Sequence, residues 1–259
     1  MMNLSISTSP ACAVPSPAVP VLECASCSLR KLCLPEGIAD AEFRRMASLV
    51  SARRTLRQGE TLFRDGDRFV ALYAVRTGFL KTHIGGRDGR DQVTAFQMAG
   101  DLLGLDGVAS ERHTCNAVAL EDSQVCMIPY AGLESLCREV PGLLRQFHRV
   151  MGREIVRDQR TMLLLAGMRA EERLAAFILN LTSRLRARGF SAVAVVLRMS
   201  REEIGSFLGL KLETVSRTFS KLQDAGILDV RQRHVRVVDA DALQWIVDGG
   251  ASHRGRTSA

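Results

Sequence analysis

The period of the apolar positions changes along this 259-residue chain. From about Arg53 to Ile128 it is short and β-like, with runs at Thr61–Phe63, Phe69–Val75, Phe79–Ile84, Gln92–Phe96, Asn116–Ala119 and Gln124–Ile128. Gly59, Gly66, Gly78, Gly89, Gly100 and Gly104 punctuate these runs. Short strands parted by turn glycines predict a small antiparallel roll or barrel. From Gly142 the period lengthens to that of a helix. Leu144, His148, Met151, Ile155, Asp158, Met162 and Leu165 recur at alternating steps of four and three, which predicts the seam of a two-stranded coiled coil. The plainer alternative is a helix packed on its own domain. Asp158 favours the seam: in a symmetric parallel pair its carboxylate would approach its own mate, and like charges in partly desolvated surroundings make such a dimer marginal.

The C-terminal third carries a third pattern. Ser200 and Glu203 have the S-x-x-E spacing of a capping box, and Ile204, Phe207 and Leu208 give the helix they start an apolar face. Gly209 falls where a left-handed turn is needed, and Leu212 to Leu222 makes a second helix with Val215, Phe219 and Leu222 inward. Its outward residues, Glu213, Ser216, Arg217 and Ser220, suit base edges in a major groove. Ile227–Arg231 and His234–Val238 follow as a β-hairpin wing. A helix pair of this kind can be purely structural; the Gly205, Gly209 and Val215 spacing, the wing and the dimer helix together point to DNA.

Composition narrows the class. With 46% hydrophobic residues the chain can build two modest cores, and the formal charge of +7 suits a polyanionic partner without demanding one. The segment Met1–Pro20 lacks a basic start and is broken by Pro10, Pro15, Pro17 and Pro20, so neither a signal peptide nor a membrane span is expected, and the cytoplasm is. Seven cysteines then argue for metal or redox chemistry rather than a disulfide scaffold. Cys24-x2-Cys27-x5-Cys33, followed far downstream by Cys126, looks like a ligand set for an iron–sulfur cluster. Glu23, Ser26, Ser28, Arg30 and Lys31 surround the trio, so core burial does not explain it, and the two cations would favour thiolates. Zinc is the rival, although its sites usually repeat the pair or add nearby histidines. Cys12, Cys115 and Cys137 read as small buried hydrophobes.

These residues converge on a known family. The chain resembles the oxygen-responsive FNR branch of the CRP/FNR transcription factors, through CASCSLRKLCLP at 24–35, QGETLFRDGD at 58–67, FQMAGDLLGLD at 96–106, ALEDSQVCMIP at 119–129, AEERLAAFILNL at 170–181 and LGLKLETVSR at 208–217. The resemblance implies an α+β fold: an N-terminal antiparallel β-roll of the cyclic-nucleotide-binding type, a long dimerisation helix and a C-terminal winged helix-turn-helix. The expected divisions are a disordered tail at 1–20, a cysteine segment at 21–40, the roll at 41–140, the dimerisation helix at 141–166, the DNA-binding domain at 167–248 and a flexible tail at 249–259. It further implies one [4Fe–4S] cluster per subunit on Cys24, Cys27, Cys33 and Cys126, dimerisation through Met151, Ile155, Asp158, Met162 and Leu165, and base reading by Glu213, Ser216 and Arg217. No catalytic residue is expected.

The implied activity is transcription regulation under low oxygen. The homodimer would bind TTGAT-N4-ATCAA-like sites on double-stranded DNA and contact RNA polymerase, and oxygen would convert and then strip the cluster, dissolving the dimer. Departures qualify the match. His113-Thr114-Cys115 stands where the cyclic-nucleotide branch has an Arg-Ser pair, so cyclic AMP is not expected. Lys211 replaces a Ser or Thr cap, Thr218 replaces a larger apolar residue, and Arg157 and Arg160 flank Asp158 and are placed to neutralise part of its charge. A related regulator gated by a small molecule or nitric oxide, and a zinc-stabilised DNA-binding protein, are the competing readings.

Overall fold

A computed structural model describes residues 40–50, 52–86, 91–191 and 193–250. Cys12, Cys24, Cys27, Cys33 and Gly89 lie outside them.

Helix α1 (Asp40–Ser48) leads into eight strands: β1 (Ala52–Leu56), β2 (Thr61–Phe63), β3 (Ala71–Thr77), β4 (Phe79–Gly85), β5 (Asp91–Met98), β6 (Leu102–Leu103), β7 (Asn116–Ala119) and β8 (Ser123–Pro129). They form two antiparallel four-stranded sheets, in the orders β1-β8-β3-β6 and β2-β7-β4-β5. Leu56, Leu62, Phe63, Tyr73, Val75, Leu80, Leu103 and Val125 fill the roll between them. Two boundaries differ from the sequence reading. Strand β1 has no run of its own, because Arg53 and Arg54 interrupt the alternation and pairing with β8 defines it. Strand β3 starts at Ala71, because Phe69 leaves the ladder to pack with Met46, Leu72, Leu133 and Leu136 under the helices.

Helix α2 (Tyr130–Glu139) runs into α3 (Pro141–Gly167), whose 27 residues span about 40 Å at the usual rise. Pro141 at its first position needs no amide hydrogen there. Met168 and Arg169, both extended, join α3 to α4 (Ala170–Arg186). Strand β9 (Ala194–Val196), α5 (Arg201–Leu208), α6 (Leu212–Asp224), β10 (Leu228–Arg231), β11 (His234–Val237) and α7 (Ala240–Val247) complete the fold. The wing is thus a three-stranded sheet in the order β10-β11-β9, one strand more than the hairpin that the sequence predicts.

The roll and the C-terminal domain share one core. Val93, Phe96, Met98 and Leu120 of the roll join Leu174, Ile178, Ile204, Val215 and Leu243 in a single buried cluster. Apolar side chains withdrawn from water contribute about 1.5–3 kcal/mol each, so this shared cluster is a large favourable term in the docking.

Candidate nucleic-acid interface and cofactor site

The helix-turn-helix follows from local rules. Ser200 Oγ accepts the Glu203 amide at 3.1 Å and a Glu203 carboxylate oxygen accepts the Ser200 amide at 2.7 Å, closing the capping box of α5. Gly209 ends α5 in the left-handed region at φ 64°, and a Cβ on Gly205 would come within 2.6 Å of the Leu210 carbonyl oxygen, so the turn closes tightly only with glycine there. Helix α6 buries Val215, Thr218, Phe219 and Leu222 and exposes Glu213, Ser216, Arg217 and Ser220. Thr218 satisfies its hydroxyl by donating to the Thr214 carbonyl at 2.7 Å, which lets it replace an apolar residue. Lys211 is the N-cap and makes no side-chain cap.

Arg201 links this pair to the wing. Its guanidinium lies 3.4 Å from the Phe219 ring centroid, its Nη2 donates to the Gln232 carbonyl at 3.4 Å, and burial pushes its pKa down to about 10.

Cys126 stands half-buried in β8, a strand flanked on both sides. Arg53 of β1 and Ala74 of β3 are its cross-strand partners, so the three share the outer face of the sheet. Ile128, two residues on and on the same face, packs into the cluster that holds Met46 of α1. Cys33 lies seven residues before Asp40, where α1 begins, a span of at most about 25 Å of chain. The sheet position of Cys126, the arrival of α1 on that face and the all-thiolate donor set therefore fit a cluster held between the cysteine segment and β8. Cys115 and Cys137 do not offer themselves as ligands: both are buried, burial pushes both thiols up, and an adjacent Asp106 helps carry Cys115 to about 12.

Along α3, of the residues expected to form a seam, Leu144, His148, Ile155, Asp158 and Met162 are exposed, with Ile155 at 56% and Met162 at 68%. Met151 and Leu165 are half-buried. Leu144, Ile155 and Met162 thus leave large apolar side chains exposed along one helix, a surface that association would cover. Of the two arginines that flank Asp158, Arg157 pairs its guanidinium with Glu154 one turn earlier. Burial holds the Glu154 carboxyl above its usual range despite that pairing.

Comparison with known proteins agrees with this architecture. A cyclic nucleotide-binding domain model matches residues 53–140 and a Crp-like helix-turn-helix domain model matches residues 172–246. The chain is similar to the transcriptional regulatory protein Btr of Bordetella pertussis, at 43% identity over 86% of this chain and 93% of that protein. The chain belongs to the CRP/FNR family of transcription regulators. Another member, the fumarate and nitrate reduction regulatory protein of Salmonella typhi, is 40% identical over 86% of this chain and 89% of its own length. The solved structure of FixK2 from Bradyrhizobium japonicum superposes with a TM-score of 0.70 at 30% identity, covering 78% of this chain and 98% of that one.

As a CRP/FNR regulator the chain is a DNA-binding protein and not an enzyme. Among the described residues, no helix is long and apolar enough to cross a membrane. Sequence reasoning missed a group of polar residues between the two domains of this family fold. Asp101 beside β6 binds Arg184 in the last turn of α4 and Arg188 just beyond it, Lys81 of β4 binds Glu203 of α5, and Ser206 of α5 bonds to β5. Partners 83 to 122 residues apart leave no local spacing to read; only Gly100 before Asp101 hinted at a sharp turn.

Proposed function

We propose that the chain is an oxygen-responsive regulator that holds one [4Fe–4S] cluster per subunit on Cys24, Cys27, Cys33 and Cys126, and acts in the cytoplasm as a homodimer on DNA. The placement of Cys126 carries the reading: a half-buried thiol on the one sheet face that α1, coming from the cysteine segment, also covers. Relatives named for fumarate and nitrate reduction support it, as does the exposed apolar stripe of α3.

When bound, the cluster supplies an oxygen-labile cross-link between the segment and the roll. The chain's own residues do the rest. Four thiolates would bind it, and Ile155 and Met162 close the dimer while Asp158 opposes closure. Glu213, Ser216 and Arg217 then face the edges of a TTGAT-N4-ATCAA-like site, and the docked dimer contacts RNA polymerase.

The test is purification without oxygen, followed by iron, sulfide and zinc analysis, a visible spectrum, sedimentation, and operator binding before and after air. A brown dimer that binds the operator and falls to a colourless, non-binding monomer in air is expected. Zinc with no visible absorption would overturn the reading. Replacing Cys24, Cys27, Cys33 or Cys126 by Ser is expected to abolish iron binding, whereas Cys12→Ser, Cys115→Ser and Cys137→Ser should not; full iron in Cys126→Ser would remove it from the ligand set.

A further inference from the structure

The DNA-binding domain is fastened to both ends of one strand of the roll. At the far end of β5, Asp101 uses both carboxylate oxygens: Oδ2 receives Arg184 Nη2 at 2.5 Å and Oδ1 receives Arg188 Nη2 at 2.6 Å. The two guanidinium groups also grip the adjoining backbone, Arg184 on the Phe96 carbonyl at 2.9 Å and Arg188 on the Ala99 carbonyl. All three charges are sheltered, with side-chain exposures of 11% for Asp101, 19% for Arg184 and 8% for Arg188. At the near end, Ser206 of α5 donates to the Asp91 carbonyl at 2.7 Å and accepts the Val93 amide at 2.8 Å, and Lys81 meets Glu203 at 2.8 Å. Between the ends, Phe96, Phe177 and Phe207 form a triangle with centroids 5.3–6.0 Å apart. Strand β5 is an edge of its sheet, and the C-terminal domain is what covers that edge.

The covalent connection is far weaker as a restraint. Only Met168 and Arg169, both extended, join the dimer helix to α4, and two such residues can absorb a large rotation. In the docked arrangement Glu213, Ser216 and Arg217 of α6 and Leu144, Ile155, Asp158 and Met162 of α3 remain exposed, while Met151 and Leu165 are half-buried.

We propose that Asp101, Arg184 and Arg188 are positioning residues that lock each DNA-binding domain onto its roll, so that a dimer presents its two α6 helices at one fixed separation and thereby discriminates operators by the spacer between half-sites. The clamp rests on the dimeric reading above and adds a property to it. A two-fold regulator reads half-site spacing only as rigidly as its two reading helices are held. The multiple donors on one sheltered carboxylate make the contact directional where the aromatic triangle is not.

The experiment uses the anaerobically purified full chain and its Asp101→Asn, Arg188→Gln and doubly substituted variants. Asparagine keeps an acceptor for the Met98 amide that Asp101 now holds at 2.8 Å, which protects the turn itself. Each protein is sedimented and then titrated with operators carrying three-, four- and five-base-pair spacers and with single half-sites. The wild type is expected to prefer one spacer strongly. The variants should remain dimers and keep half-site affinity, yet lose more than about tenfold on the preferred spacer, so that discrimination collapses. The double variant should lose no more than either single one, because both break the same clamp. Variants that discriminate as the wild type does, or that lose affinity equally for every spacer and for half-sites, overturn the clamp. A wild-type dimer that binds but ignores spacing overturns it too while leaving the operator reading intact; a wild type that binds no two-fold site overturns that reading.

Discussion

The carboxylate of Asp106 accepts the backbone amide of Thr114 at 2.8 Å. It also lies 3.4 Å from the His113 ring, which stacks on Phe63 with centroids 3.7 Å apart. In the stretch where the cyclic-nucleotide branch of the family is implied to hold a phosphate, this chain has placed a carboxylate of its own. A cyclic nucleotide would have to displace that carboxylate from an amide and approach a like charge. Titration with a fluorescent cyclic nucleotide is therefore expected to show no saturable binding. Asp106→Ala, which strands a Thr114 amide and loses the His113 contact, should cost roughly 1–3 kcal/mol in denaturant unfolding. An unchanged midpoint would mean that the carboxylate supports nothing.

Asp158 and the residues around it set the second prediction. Arg157, one of the two arginines that flank it, is paired with Glu154. Asp158→Ala should dimerise and bind DNA in air, gaining about 1–3 kcal/mol in association as the like-charge contact disappears. Sedimentation of the cluster-free variant decides: a monomer at concentrations well above those of the anaerobic dimer would move the switch off this residue.

What could be read directly along the chain was local. The capping box of Ser200 and Glu203 sits within one helical turn, Gly209 answers a single backbone conformation, and the helix α3 follows from a period. Most of what escaped depended on partners far away. Strand β1 exists because Arg53 and Leu56 pair with Cys126 and Ser123, and no alternation of its own announces it. Helix α4 lacks a Ser or Thr cap; Glu172 instead reaches back to the Arg169 amide at 2.8 Å, a signal too weak to start a helix on paper. Asp101 and Arg188, 87 residues apart, are ordinary surface types in any window, and only the docking of two domains makes them a buried pair.

Acid should loosen the domain interface. Burial alone would raise the Glu203 carboxyl, but hydrogen bonds from Lys81 and the Ser200 amide outweigh it and hold the group below its ordinary 4.5. A carboxylate lowered by folding contributes stability that is fully present above its unfolded value and is lost as pH falls through the folded one. The melting temperature should hence fall from about pH 4.5 downward, and Glu203→Gln, which has no charge to lose, should start lower and show a shallower decline across the same window. An identical acid slope in both proteins would assign the effect to other carboxylates.

Arg217 and Glu213 lie one turn apart on the exposed face of α6, and a guanidinium can donate to guanine O6 and N7 while a carboxylate accepts from cytosine N4. Together they should read the G·C pair of each half-site of the proposed TTGAT-N4-ATCAA-like operator. Arg217→Ala is expected to cost about 1–3 kcal/mol per half-site and to relax preference mainly at that pair. Arg233, exposed in the turn of the wing, is placed for phosphate instead, so its loss should weaken every sequence alike and flatten the salt dependence. Ser216, shorter and uncharged, should bear on the thymine end. The measurement is anaerobic binding of each variant to a panel of single-base operator changes at two salt concentrations. If Arg217→Ala lowers affinity equally for every operator while base preference survives, α6 holds the DNA without reading it, and the reading face must be sought elsewhere.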